Sequence, residues 1–364
     1  MTCKFSNGGI RRDQGVALVI VLLTLFTLGG MAAIFAYSMK VETRLAMNTS
    51  NAGELEWLGR SGVEYAKWIL MQQDRVGSER GFHALNQFWA GGPGPIESAD
   101  NPFEGLSLTD VPLGSGTISI EIRDTERLLN INREGRNPLL MDLALARAGA
   151  DATDTAVIGS ALADWIDRDD FAQAGSGAES DYYLSLDPPY RAKNGPIDDV
   201  RELLLVRGVT PSIFWGPGYH PTDFGNGTDS SPAKTRRDSK ATGAGLAEVF
   251  GALSSGRVNI NTAPLGVLTL LLGGDESLAE QVIRVRSGQD GVDGTEDDQP
   301  ARSVGEIARL LGPAAAMGQD RFVTQSMTFE VKTTAKLGPA KRRFSSLMRR
   351  VGARDFQVLL FRPE

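Results

Sequence analysis

The 364-residue chain carries a formal net charge of −7 and is 41% hydrophobic, the composition of an ordinary globular protein long enough for two domains. Removal of a leader ending at Gly15 would take Lys4, Arg11, Arg12 and Asp13 with it, leaving 35 basic against 44 acidic residues. That acidic balance weighs against nucleic acid as the main partner, because phosphate binding needs clustered Lys and Arg, and Cys3, the single cysteine, excludes an internal disulfide.

The first element is a helix. Val16 to Met39 contains no charged residue, enough to cross a hydrocarbon core of about 30 Å. Lys4, Arg11 and Arg12 precede it, so the charge bias places the N-terminus in the cytoplasm and the bulk of the chain beyond the membrane. Apolar residues then recur at helical spacing through Val41, Leu45, Leu55, Leu58, Val63, Ala66, Ile69 and Leu70, and no proline occurs before Pro93. One helix from near Val16 to near Gln73, about 85 Å long, is expected, weakened locally by Gly29, Gly30, Gly53, Gly59 and Gly62. A basic leader, Gly15, apolar Val16 and a span fused to an amphipathic helix together resemble a type IV pilin or pseudopilin. The resemblance implies cleavage between Gly15 and Val16 by a prepilin peptidase and N-methylation of Val16. Pilin-like subunits carry Glu at the fifth mature position, where this chain has Ile20. A subunit with no neighbour beyond it has no amino terminus to neutralise, so Ile20 fits a tip position.

Further along, Gly116–Asp124 alternates Ile118, Ile120 and Ile122 and reads as a strand. An internal repeat follows. "RLLNIN" (127–132) returns as "GRVNINTAP" (256–264). Each copy leads into two helical segments (138–148 and 153–166; 264–272 and 277–286), an acidic Gly-rich loop, and a third helical pattern (196–211 and 300–313). The Gly- and Pro-rich stretch 216–245 between them reads as a linker. After Gln319, "SMTFEVKTTA", "KRRFSSLMRRV" and "DFQVLLF" read as strands of an antiparallel sheet with one wet face. The expected fold class is α+β: a pilin-like long N-terminal helix packed on a small antiparallel sheet, with a large inserted helical domain of two related units. The boundaries are a leader at 1–15, a membrane segment at 16–39, a first pilin-like part at 40–125, the insertion at 126–315 (units 126–211 and 256–313), and C-terminal strands at 316–364.

The order "ALADWIDRDD", "GAESDYY", "PPYRAKNGPIDDVRELLLVRGVTP" and "VNINTAP" resembles the K class of minor pseudopilins in type II secretion systems. That resemblance implies a tip complex with minor pseudopilins of the I and J classes, primed on an inner-membrane assembly platform, with the N-terminal helix in the inner membrane. It also implies calcium bound in the inserted domain.

Flexible acidic loops supply the oxygen ligands that calcium needs. Asp167, Asp169, Asp170, Glu179 and Asp181 form the favoured candidate set, with Asp290, Asp293, Asp297 and Asp298 as the weaker one; Asp164 reads as an exposed or helix-end residue beside Trp165. Asn259, Asn261 and Thr262 read as helix-capping residues. The same "NINTAP" region is compatible with a helix-hairpin-helix DNA module, but Asp275 and Glu276 stand where phosphate would approach. His83 and His220, the only histidines, fall in no catalytic or metal motif, and no nucleophile elbow is present. No enzymatic activity is expected.

Overall fold

The computed structural model describes residues 13–94, 101–173, 175–219, 244–312, 319–352 and 355–364. Lys4, Arg11 and Arg12 of the leader, most of the linker with His220, and Pro313 lie outside the described residues. Helix α1, Asp13–Gln73, is continuous over 61 residues. From Val16 it is the one helix among the described residues long and apolar enough to cross a membrane. The apolar side chains along its first half, such as Leu18, Phe26 and Phe35, stand exposed rather than packed on the protein, which suits a lipid-facing segment. Val41 and Leu45, expected on the packed face, are exposed too, because the body of the protein begins only further along.

The remaining elements follow in chain order. They are β1 (Val111–Leu113), β2 (Gly116–Asp124), β3 (Leu129–Asn130), α2 (Ile131–Glu134), α3 (Pro138–Arg147), α4 (Ala152–Ile166), α5 (Ser180–Leu184), α6 (Pro211–Trp215), α7 (Leu246–Val249), β4 (Phe250–Gly251), β5 (Val258–Asn259), α8 (Leu265–Leu271), α9 (Glu276–Arg286), α10 (Val304–Leu311), β6 (Phe322–Val323), β7 (Thr328–Leu337), β8 (Ala340–Gly352) and β9 (Asp355–Pro363). Five strands form one antiparallel sheet in the order β1-β2-β7-β8-β9. The sequence pattern indicated one strand before the insertion. The structure has two, since β1 is a three-residue edge hairpin partner of β2 containing Pro112, too short to show an alternating pattern.

The sheet packs on the second half of α1. Leu55, Leu58, Val63, Ala66, Ile69 and Leu70 are buried against Ile118, Ile120 and Ile122 of β2 and Phe329, Val331 and Ala335 of β7, with Phe344 and Met348 of β8. Two of the helix-weakening glycines have a reason here. A Cβ at Gly59 would overlap the Phe344 ring, and one at Gly62 would overlap the Thr333 side chain. The missing side chains let helix and sheet approach closely, whereas Gly29, Gly30 and Gly53 face open space.

The helical domain is inserted between β2 and β7, which are adjacent in the sheet, and has a separate core. Leu140, Met141, Leu145, Ile158, Leu162 and Trp165 of the first unit share that core with Val267, Leu268, Leu271, Ala279 and Val282 of the second. The repeat is structural. Each unit opens with a two-residue strand at the Asn motif, paired parallel to a two-residue strand beyond the unit's expected end: β3 with β4, and β5 with β6. The third helical pattern differs in form between units, being a 3₁₀ helix at Val200–Leu205 and an α-helix in α10.

Candidate functional site

The Asn motifs do one job twice. The Oδ1 atoms of Asn130 and Asn259 accept from the backbone N–H two residues on, at 2.9 and 3.1 Å. Asn132 then clamps Ile197 with both ends of its amide, at 2.7 and 2.9 Å, and Asn261 clamps Ala301 likewise, both at 2.9 Å. Each clamp fixes the start of its unit's third segment to the backbone just after the unit's first strand. The expectation that Asn259, Asn261 and Thr262 cap the next helix is therefore corrected. Helix α8 has Pro264 at its cap position and no side-chain cap bond; Pro264 displaces the helix start beyond the reach of the three side chains.

Thr262 and Asn259 instead complete a buried polar hub where the insertion leaves and rejoins the sheet. Asp124, at the end of β2, accepts from Ser326 Oγ and Thr262 Oγ1 at 2.6 Å each and from Asn259 Nδ2 at 3.1 Å, and its other oxygen accepts from the Glu126 N–H at 2.8 Å. His83 closes the hub. Its Nδ1 accepts from the Ser326 N–H at 2.8 Å, its carbonyl accepts from Asn259 Nδ2, and its ring meets Trp89 and Phe329 edge-on. Burial, with Arg350 nearby, lowers the His83 pKa to about 3, so the ring is neutral and structural.

The acidic loop of the first unit behaves differently. Asp167, Asp169 and Glu179 each present a carboxylate oxygen, and the three atoms lie within 4.8 Å of one another. Asp167 follows α4, and Glu179 precedes α5 at its cap position without making a cap bond. Asp167 Oδ1, both Glu179 carboxylate oxygens and Asn194 Oδ1 are buried with no hydrogen-bond partner. Burial, reinforced by Asp164, Asp167 and Asp170, raises the Glu179 pKa to about 7, and burial and then Asp169 push Asp167 up. Three carboxylates gathered within 4.8 Å among like charges, offset at Glu179 in part by the Asn194 side chain, are a strained arrangement for protein alone. A hard divalent cation would offset both the charge and the missing donors, and an all-oxygen donor set suits calcium. The residues present fit that group, with Asp167, Asp169 and Glu179 as its holders and Asn194 bonded beside them to Asp169 and Asp170.

Other members of the favoured set act around this group. Asp170 Oδ1 accepts from the Ser180 N–H at 3.3 Å and from Asn194 Nδ2 at 3.5 Å, and so shapes the loop. Asp181 stands exposed in α5 and is not one of the three clustered carboxylates. Asp164, expected to be exposed or at a helix end, does lie in the last turn of α4 but is fully buried. It accepts from the Ala178 and Gln173 N–H groups at 2.8 and 3.2 Å, folding the acidic loop back over α4. Gly177 is required there, since a Cβ would strike Asp164. Sequence reasoning passed over Asn194; its only signal was the Asn-Gly-Pro turn, where it adopts φ 46°.

The second acidic loop folds around a protein cation instead. Arg286, buried at the end of α9, donates to the Asp293 carboxylate at 2.9 and 2.7 Å and to the carbonyls of Ile260 and Ala263. Asp297 accepts from the Gln289 and Asp290 N–H groups and from Thr295, and Asp298 accepts from the Gly294 N–H. Asp290 accepts from the Val292 N–H. The metal expectation for Asp290, Asp293, Asp297 and Asp298 is thus corrected, because a guanidinium and backbone donors already satisfy these groups. The turn between α8 and α9 is equally committed: Asp275 caps α9 by accepting from the Leu278 N–H at 3.0 Å, and Glu276 pairs with Arg147. An acid occupies the helix N-terminus that a DNA phosphate would need.

A long apolar-to-amphipathic helix on an antiparallel sheet gives the chain a pilin-like fold, with a first half long and apolar enough to cross a membrane and a helical domain inserted before the third strand of the sheet. Within that class the chain is similar to protein K of type II secretion systems. The family model for "Type II secretion system (T2SS), protein K" matches residues 133–215, the first inserted unit. Type II secretion system protein K of Klebsiella pneumoniae is 27% identical over 215 residues, covering 56% of this chain and 60% of that one, so the chain spans under two thirds of the length of that relative. Protein K of Pseudomonas aeruginosa is 25% identical over 300 residues, covering 79% and 77%. Among solved structures, a chain of the GspK-GspI-GspJ complex from enterotoxigenic Escherichia coli superposes with a TM-score of 0.61 at 19% identity, over 88% of this chain and 99% of that one. The K-class resemblance read from the sequence is borne out.

Proposed function

We propose that this chain is a non-enzymatic minor pseudopilin at the tip of a type II secretion pseudopilus. It primes assembly with minor pseudopilins of the I and J classes and supports protein export across the outer membrane. The observation that supports this reading most is the combination in one chain of a pilin-like half and the inserted two-unit domain whose first unit matches the protein K family. A solved neighbour of this fold is described in complex with I and J proteins. On this reading α1 sits in the inner membrane with its N-terminus cytoplasmic. A prepilin peptidase cleaves between Gly15 and Val16, Val16 is N-methylated, and an inner-membrane platform incorporates the mature chain. Ile20 in place of a charged residue suits a subunit with no neighbour above it. Asp167, Asp169 and Glu179, with Asn194 beside them, would hold calcium, and a bound ion would neutralise the acidic loop; the protein's own contribution is to gather those carboxylates.

Deletion of the gene in its own host tests the function. Secreted enzymes are expected to accumulate in the periplasm and to be exported again on complementation; export undiminished by the deletion would contradict the proposal. The mature N-terminus tests the processing: sequencing should begin at methylated Val16.

A further inference from the structure

Beside the Asp124 hub, a cleft of about 450 Å³ opens between the pilin-like half and the inserted domain. Val304 of α10, Val323 of β6 and Met327 give it an apolar floor. Among the described residues that line it, Glu126 is the only acid and Arg257 the only base. Glu126 is 1% exposed and is bonded by Ser255 and by the backbone of Met327, so it does not occupy the cleft. Arg257 is exposed just before β5, and among the described residues its guanidinium has no hydrogen-bond or ion-pair partner. Two further arginines stand at the same corner. Arg133 packs on Gly256, donating to its carbonyl at 3.0 Å. Arg321 precedes Phe322 of β6, the partner of Val258, as Arg257 precedes Val258 itself. Arg133 and Arg321 share one carboxylate, the buried Glu134, at 3.5 and 3.3 Å. Asp320, next to Arg321, is exposed and forms no ion pair among the described residues. Three guanidinium groups thus face one carboxylate that is already engaged twice. In a chain whose net charge is −7 this surplus of cation is a local arrangement, not a reflection of composition. It adjoins an apolar-floored cleft at a domain junction, the setting in which binding sites form.

We propose that this cleft binds a protein partner through an acidic side chain carried on an apolar segment. The carboxylate takes the free Arg257 fork in the two-pronged geometry that guanidinium and carboxylate share. Arg133 and Arg321 add attraction at longer range, and the apolar neighbour of the acid lies on Val304, Val323 and Met327. A carboxylate suits the cleft better than a phosphate does. One guanidinium above an apolar floor satisfies a planar, singly charged group, whereas a phosphate would set oxygens against the floor without donors. The inference stands on the cleft and its arginines and does not rest on the pseudopilin reading.

The test is calorimetric titration of the full chain, in an uncharged detergent, with the acetylated peptide amide Leu-Glu-Leu-Glu-Leu alongside its Leu-Gln-Leu-Gln-Leu analogue. The Glu peptide is expected to bind at least about tenfold more tightly, the scale of a hydrogen bond to a charged group. Arg257→Ala, at an exposed position, should abolish that preference without moving the melting temperature, and Arg257→Lys should keep part of it. Arg201→Ala removes an exposed arginine of the other unit and should leave the preference unchanged. Equal binding of the two peptides or no binding of the Glu peptide would overturn the proposal. So would a preference that survives Arg257→Ala, or one that falls as far in Arg201→Ala, which marks non-specific attraction. Displacement of the Glu peptide by an equal concentration of inorganic phosphate would overturn it too, by marking a phosphate site.

Discussion

Glu179 is the residue on which the metal reading turns. In the folded chain it is a buried carboxylate among other acids, which the Asn194 side chain offsets only in part. Chelation by EDTA is expected to lower the melting temperature of the detergent-solubilised chain, since a ligand that binds only the folded state stabilises it, by about 2.7 kcal/mol at a hundredfold excess over Kd. In Glu179→Gln the EDTA shift should largely vanish, while the metal-free variant melts at or above the metal-free parent because a buried charge is gone. An EDTA shift of the same size in both chains would refute the assignment. The sign of the pH dependence follows from the folded pKa of about 7, raised above the ordinary carboxylate value. Metal-free, the group's contribution to stability is fully present below the ordinary Glu range and lost as pH rises through about 7. Calcium competes with that proton, so the calcium-induced rise in melting temperature should be larger at pH 8 than at pH 5.5. A calcium effect independent of pH would show that Glu179 is not a ligand. Residue-scale reasoning from sequence named Asp167, Asp169 and Glu179, which the fold brings together, because acidic loops are visible as composition. It missed Asn194 and misjudged Asp164, since burial and the direction of a lone amide depend on a chain reversal that only the fold supplies.

At the scale of elements, two pairings carry the architecture. The first is α1 on the sheet, where Gly62 lies under Thr333. Ala is intrinsically the better helix former by about 1 kcal/mol, yet Gly62→Ala is expected to destabilise by about 1–3 kcal/mol through overpacking. Gly53→Ala, with open space around it, should be neutral or stabilising by up to about 1 kcal/mol. Chemical denaturation of the two variants checks the opposite signs; equal effects would mean that the helix does not seat on the sheet as described. The second pairing is the Asn clamp. Asn132→Ala leaves the Ile197 N–H and carbonyl without their partner and should cost about 1–3 kcal/mol, read by the same denaturation. The helix, the long strands and the repeat were legible in sequence because each has a periodicity of its own. The clamp was not, because Asn before a helix has the composition of a cap, and only the position of Pro264 relative to α8 separates the two roles. The three-residue β1 and the two-residue strands β3 to β6 were too short to leave any pattern.

For the whole molecule, the account is of a subunit with two separate cores and a polar seam between them. The long helix and the sheet have a pilin-like form, and the inserted domain sits between adjacent strands β2 and β7, where it adds bulk without breaking the sheet. The first half of α1 exposes a long apolar surface that the described chain does not cover itself. Lipid and neighbouring helices are its expected partners. The proposed tip position would need only one set of neighbours, below it, and both Ile20 and the bulky insertion fit it. The measurement that tests this most directly is co-purification of the tagged full chain with the I- and J-class minor pseudopilins of its own secretion system, co-expressed in the host membrane. The account predicts a stable ternary complex in equal proportions, eluting as one species. Recovery of the chain alone, with the I and J proteins associating with each other but not with it, would contradict it.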